Sequence, residues 1–212
     1  VLVTHEHSDH TKSLGIMSRK LNIPIYANNK TWESMGDSLG KISTENIKVF
    51  STGTEFKIEN LAINTFHIPH DASEPVGYCF YHEGVKVSIA TDLGHMSEEV
   101  KKNIMGSKLV LLEANHDIEM LKMGSYPYYL KRRILGDRGH LSNEAAGAAI
   151  CELVNSGVKE ILLGHLSREN NFPELAYETV KNVLALNEKQ IGCHVDIQLA
   201  PRSSISKLYE IL

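Results

Sequence analysis

Apolar positions along the chain change their spacing several times, and each change marks an element. Val1 to Thr4 is a short apolar run that predicts a strand. Leu14, Met17 and Leu21 then recur at helical spacing until PIYA, residues 24–27, turns extended again. Between Ile47 and His67 the runs KVF, EFKI and LAINTFH are separated by STGT and by Glu59-Asn60, which predicts an antiparallel meander. VGYCFYH and VKVSIAT flank Glu83-Gly84 and predict a hairpin, because both are rich in β-branched and aromatic residues. KLVLLEA and KEILLGH have the continuous apolar character of buried strands. After Ser142, a natural N-cap, Ala145, Ala146, Ala149, Ile150 and Leu153 fall on one helical face. The order predicts an α/β fold. With 212 residues and no internal repeat, low-complexity tract or linker, a single domain spanning 1–212 is expected.

Composition narrows the class. Hydrophobic residues at 42% and charged residues at 23% describe an ordinary globular protein with no window apolar enough to span a bilayer, so no membrane partner is expected. Val1 to Thr4 leads straight into a histidine cluster, without the basic start and long apolar run of a secretory signal. Cys79, Cys151 and Cys193 are odd in number and widely spaced, which argues against a disulfide framework and for a reducing cytoplasm. A formal net charge of −4 gives the chain no overall basic footprint, so any polyanion site must be local. One local cluster exists in YYLKRRILGDRGH, where Lys131, Arg132, Arg133 and Arg138 face only Asp137. Such a run is either a solvated helix face or a phosphate-binding strip.

The densest chemistry is at the start. HEHSDH, residues 5–10, sets three imidazoles and two carboxylates around one serine. His5 and His7 are two apart at a strand end, so their side chains leave the same face and can grip one cation together. His10 breaks that parity. A turn after His7, with a helix starting at residues 9–13, would bring Asp9 and His10 to a neighbouring point, a geometry suited to two adjacent cations.

HEHSDH resembles the HxHxDH signature of the metallo-β-lactamase superfamily, and three later stretches, HIPHDASEP, SIATDLGH and ILLGHLSREN, resemble that family's later ligand motifs in the same order. The resemblance implies a four-layer αβ/βα sandwich with a dinuclear site at one edge of two packed sheets. It also implies His5, His7 and His70 as ligands of one metal, Asp9, His10 and His165 as ligands of the other, and Asp92 as the bridge, a catalytic position too. His67 is the rival of His70. Asp71 after His70 matches the family's HD pattern, and His67 is expected to end a strand. His82, His95, His116 and His194 are placed outside the site. One departure stands out: the family carries several strands ahead of HxHxDH, whereas here the motif begins at residue 5, so one more β-rich segment ahead of Val1 is expected.

Two further stretches separate branches of the superfamily. LLEANHD resembles the nuclease segment whose Glu orients a catalytic His, here Glu113, and GDRGHLSNEAAG the segment that supplies that His, here His140. GHLSREN resembles the nuclease-type ending, in which Ser and Arg follow the last ligand. HIPHDASEPVGY and RGHLSN resemble more narrowly the YycJ/WalJ-like branch of bacterial metallo-hydrolases, which implies a nucleic-acid substrate. The expectation is a nuclease, an exonuclease on DNA or RNA, using two divalent ions, Zn²⁺ or Mn²⁺. His140 would protonate the leaving oxygen while Glu113 holds its ring. Lys131, Arg132 and Arg138, with the helix start at Ser142 and Asn143, would bind flanking phosphates. A thioester or lactone hydrolase of the glyoxalase II type and a metal-binding module without turnover are the alternatives.

Overall fold

The structure is a computed structural model and describes residues 1–211. Residues 1–3 run beside β1 (Ile25–Asn28) but pair with it only through Leu2 and Tyr26. The expected strand at Val1 to Thr4 is therefore a single bridge, closed by Val3 N–H to Tyr26 O at 2.9 Å and Tyr26 N–H to Val1 O at 2.8 Å. Next come α1 (Ser8–Thr11) and α2 (Leu14–Leu21), and after β1 follow α3 (Asn29–Met35) and β2 (Ile47–Phe50). β2 pairs parallel with β1 in a two-stranded sheet, so KVF is not part of the meander that its spacing predicts. Its alternation is satisfied equally by either sheet, and Phe50, its one buried residue, decides by packing between the two.

The second sheet has seven strands in chain order: β3 (Glu55–Ile58), β4 (Leu61–His67), β5 (Val76–His82), β6 (Val85–Ala90), β7 (Leu109–Glu113), β8 (Glu160–Gly164) and β9 (Asp196–Leu199). β3 to β6 are antiparallel and β6 to β9 parallel. The expected hairpin and both buried strands are present, with Glu83 and Gly84 in the tight turn at positive φ. α4 (Glu98–Ile104), α5 (Ile118–Met123), α6 (Tyr128–Ile134), α7 (Asn143–Asn155) and α8 (Pro173–Leu186) fill the connections.

Side-chain parity sorts these elements into four layers. Ile25 and Ala27 of β1 pack outward with Val3, Leu14 and Met35, covering the small sheet with α2 and α3. Phe50, Ile63, Val76 and Tyr78 form the apolar seam between the sheets. Phe66, Cys79, Val110, Leu112, Ile161 and Leu163 point to the opposite face of the large sheet, where Val100, Ala146, Ile150 and Val180 of α4, α7 and α8 close over them. At roughly 25 cal/mol per Å² of apolar surface removed from water, this last cluster dominates the driving force for folding. Helix, sheet, sheet, helix is the sandwich architecture expected.

Two helix faces depart from their spacing. α2 buries Leu14, Gly15 and Ser18, leaving Met17 and Leu21 exposed, because Gly15 lets the helix press on the Leu39 carbonyl. Ala145 is exposed on α7 while Gly147 is buried against Val183. Among the described residues no helix is long and apolar enough to cross a membrane.

Candidate active site

Strand direction gathers the motifs at one edge. β6, β7 and β8 are parallel, and β4, two antiparallel steps from β6, runs the same way. Their carboxyl ends therefore deliver His70, Asp92, Glu113 and His165 to one rim. The N-terminal segment joins that rim through Val76 N–H to Thr4 O at 3.0 Å. The expected turn after His7 is the first turn of α1, where the amides of His10 and Thr11 both donate to His7 O.

The sequence-predicted donors meet there. His5, His7 and His70 form one group, and Asp9, His10 and His165 another, the ligand atoms within each lying within 4.8 Å of one another. Asp92 lies between the groups, with Oδ2 3.6 Å from His10 Nε2 and Oδ1 3.3 Å from His165 Nε2 and 4.0 Å from His70 Nε2. His67 is exposed and points elsewhere, whereas His70 is buried.

The rings are held by their outward nitrogens. His70 Nδ1–H donates to Gly139 O at 3.1 Å, which leaves Nε2 as a lone-pair donor facing the site. Thr4 Oγ1 lies 3.0 Å from His5 Nδ1 and 3.3 Å from His10 Nδ1, so one hydroxyl orients both rings. Glu113 is fully buried and has all its acceptor capacity in use: Oε1 accepts from His140 Nδ1 at 2.8 Å and His165 Nδ1 at 2.7 Å, and Oε2 from the amides of Leu93 and Leu141. Asn115 Nδ2 donates to His165 O at 2.8 Å, and Asp92 and His165 both adopt positive φ. A left-handed non-glycine residue costs on the order of 1–3 kcal/mol, and both sit where that strain aims a side chain into the site.

Electrostatics fit a cation. Burial holds His5 neutral, down at about 3, and lowers His70 as well. Burial alone would raise the Asp92 carboxyl, but His10, His165 and His5 together hold it well below the usual carboxylate range. Against its own burial, His165 is pushed up to about 9 by Glu113 and Asp92, a surrounding that favours positive charge on its ring. His5 Nε2 and Asp92 Oδ2 are buried without a hydrogen-bond partner. Leaving two such atoms unpaired is costly unless something coordinates them, and two neighbouring sets of imidazole and carboxylate donors fit divalent metals.

Outside the cluster opens a cleft of about 600 Å³, whose walls include Asp9, Asp92, His140 and His165 on one side and Tyr126, Leu130 and Arg133 on another. Gly94 packs against the loop that carries His140. Its N–H donates to Pro69 O at 2.9 Å, and a Cβ there would overlap the Asp137 backbone and lie 2.6 Å from Gly139 N. Only glycine lets the turn after Asp92 approach the loop that carries His140 so closely.

The basic segment disperses. Lys131 Nζ donates to the carbonyls of Lys122 and Gly124, both at 2.7 Å, and Arg138 donates twice to His70 O, at 3.0 and 2.8 Å. Arg133, at the cleft, is paired with Asp71. Arg132 is exposed, with its guanidinium over the Tyr128 ring. Ser142 caps α7 through Ala145 N–H, and the buried Asn143 side chain pairs with Asn171, so neither reaches the cleft. The helix start expected to meet phosphate is sealed by this asparagine layer. Sequence reasoning missed Thr4, Asn115, Tyr126 and Arg202. Only Thr4 carried a usable signal, sitting immediately before the first histidine at a strand end.

The description "Beta-lactamase superfamily domain" matches residues 1–165. The chain is 44% identical to "Exodeoxyribonuclease YycJ" of Bacillus anthracis over 192 residues, covering 91% of this chain and 72% of that one. It is 40% identical to "Exodeoxyribonuclease WalJ" of Streptococcus pneumoniae serotype 2 over 201 residues, covering 94% and 74%. Among solved structures, the metallo-beta-lactamase fold protein YhfI of Bacillus subtilis superposes with a TM-score of 0.68 at 16% identity, over 94% of this chain and 74% of that one.

Proposed function

The chain belongs to the metallo-β-lactamase superfamily, and from that premise we propose that it is a metal-dependent exonuclease hydrolysing the phosphodiester bonds of DNA. The observation that carries the reading is the Glu113–His140 pair, held at 2.8 Å on the wall of the cleft beside the donor cluster. Glu113 also orients His165, so it is His140, outside both proposed ligand groups, that a module binding only metal would have no use for. Exonuclease relatives at 40–44% identity support the same reading.

His5, His7 and His70 would hold one divalent ion and Asp9, His10 and His165 the other, with Asp92 between them. Five imidazoles favour zinc, while the carboxylates also admit manganese. Once bound, the ions would neutralise phosphodiester charge and make a nucleophile available at neutral pH. The chain's own residues do the rest. His140 Nδ1–H is committed to Glu113, which leaves Nε2 for the cleft. Burial works against a proton on that ring, but Glu113 outweighs it and raises His140 above the ordinary histidine value. The imidazolium can then hand its Nε2 proton to the departing sugar oxygen. Arg133, fixed by Asp71 at the rim, offers its guanidinium to the phosphate that enters.

Metal-reconstituted protein should release mononucleotides from end-labelled linear DNA and leave a covalently closed circle intact. Rapid hydrolysis of S-lactoylglutathione with DNA untouched would transfer the chain to the thioesterase reading.

A further inference from the structure

Arg168 and Arg202 line the cleft, and neither the donor cluster nor the Glu113–His140 pair uses them. They reach it by the same route as the site itself. β8 and β9 are parallel neighbours, and Ala200 N–H to Leu163 O at 2.8 Å carries their pairing to the rim. The carboxyl end of β8 therefore delivers His165 and then Arg168, and that of β9 delivers Arg202 beside them. The loop after His165 is fixed at several points. Asn115 Nδ2 donates to His165 O at 2.8 Å, Ser167 N–H donates to Asn115 O at 2.7 Å, and Ser167 Oγ accepts from Asn170 N–H at 3.2 Å. Arg202 donates to Leu166 O, which anchors its guanidinium on the residue two before Arg168.

Charge sets these two apart from the other arginine of the cleft. Arg133 is paired with Asp71, whereas among the described residues neither Arg168 nor Arg202 has a carboxylate partner. Glu169 shares the wall and engages neither. Both arginine side chains are exposed, so an anion in the cleft meets them without displacing an internal acceptor. The attacked phosphate is already placed, against the donor cluster and His140. At about 600 Å³ the cleft holds more than one phosphate group.

We propose that Arg168 and Arg202 form a subsite for a second phosphate of the DNA strand, one nucleotide away from the attacked one, and so set the register in which the attacked bond meets the donor cluster and His140. The proposal rests on the exonuclease reading above and adds how the strand is positioned. A phosphate recurs at every nucleotide whatever the base, and the guanidinium fork matches its oxygens. Such a subsite reads no base and serves a paired or an unpaired end alike. Its arginines are binding residues, since the phosphate they hold does not react.

The test uses the metal-loaded full chain and linear DNA carrying a phosphate at both ends, read as release of the first nucleotide. Arg168→Ala with Arg202→Ala should lower kcat/KM by about 10- to 100-fold, mainly through KM, since one charge-assisted contact is worth roughly tenfold. Bis-p-nitrophenyl phosphate has no second phosphate and should lose far less. Arg168→Lys with Arg202→Lys keeps the charge without the fork and should recover part of the loss. The substrate then locates the phosphate. One DNA carries an uncharged methylphosphonate at the second linkage from each end, and another lacks its terminal phosphates. One of the two should slow the unaltered protein to the level of the alanine pair and leave the alanine pair indifferent, which assigns the subsite to an internal or a terminal phosphate. If neither DNA narrows the gap between the two proteins, the subsite is overturned. Equal losses on DNA and bis-p-nitrophenyl phosphate would also overturn it, by moving the arginines' effect to the attacked phosphate. If the unaltered protein cleaves no polynucleotide but turns over a thioester, the exonuclease reading itself falls; if it degrades DNA and the alanine pair does so equally well, only the subsite does.

Discussion

Two stretches of this chain are dense in charge, and they fold in opposite ways. His5 to His10 and Lys131 to Arg138 each pack several ionisable groups into less than ten residues. The side chains of the first converge, with the His5 and His10 ring centroids 4.3 Å apart and those of His5 and His70 4.9 Å apart. Those of the second diverge to a carbonyl pair, an aromatic ring, an aspartate and the backbone of His70. Convergence of like groups is unfavourable unless a further charge resolves it, as the unpartnered His5 Nε2 and Asp92 Oδ2 attest. Dispersal is what happens when each cation finds an internal acceptor. Density in sequence is thus no guide to a shared target; the geometry of the partners is.

The largest test separates the proton donor from the ligands it stands beside. His140→Ala should keep both metals by elemental analysis, because His140 is tied to Glu113 and belongs to neither the His5, His7 and His70 group nor the Asp9, His10 and His165 group. Its kcat on DNA should fall by roughly 10²- to 10⁴-fold, the usual range for a lost general acid. p-Nitrophenolate leaves without a proton, so bis-p-nitrophenyl phosphate should suffer much less. Equal losses on both substrates would mean that His140 stabilises the attacked phosphate, and loss of metal would move it into the converging group.

Much of that converging group was legible in the sequence because its constraints are local. HEHSDH fixes spacing at a strand end, and Asp92 and His165 each follow an apolar strand that can be seen from its composition. What was not legible depends on partners far along the chain. Glu113 was expected to orient His140 alone, yet it holds His165 as well, 52 positions away. Arg138 looked like a phosphate ligand until its partner, the His70 carbonyl 68 positions earlier, was in view. β2 alternates correctly for either sheet, and only packing assigns it to β1. Met17 and Leu21 lost the buried face of α2 to Gly15 and Ser18 because close approach to Leu39, not hydrophobicity, set the contact.

The double duty of Glu113 yields a smaller effect. Glu113→Gln places an amide where a carboxylate oxygen accepts, so an N–H must face either two imidazole N–H groups or the amides of Leu93 and Leu141. His165 then loses its orienting partner, and metal affinity should drop by about 10- to 100-fold, as for other partners of ligating histidines. Competition with a chromophoric chelator measures it. Activity at saturating metal should recover in part, since the His140 imidazole is still present. A variant that binds metal as tightly as the unaltered protein would confine Glu113 to His140.

The smallest effects divide the basic segment itself. Arg138→Ala removes two hydrogen bonds to the His70 carbonyl and should cost stability, about 1 kcal/mol, seen as a fall of about 2–4 °C in Tm, with the salt dependence of DNA binding unchanged. Arg132→Ala touches no backbone and should leave Tm in place while the slope of log K against log salt flattens by about one. Lys131→Ala should follow Arg138 in kind, since its ammonium is held by Lys122 and Gly124 and is not offered to a ligand. A Lys131 variant that flattened the salt slope as much as the Arg132 variant would mean that the carbonyl contacts open when DNA binds. The segment would then act as one continuous phosphate-binding strip, and the contrast with the histidine cluster would reduce to one of burial.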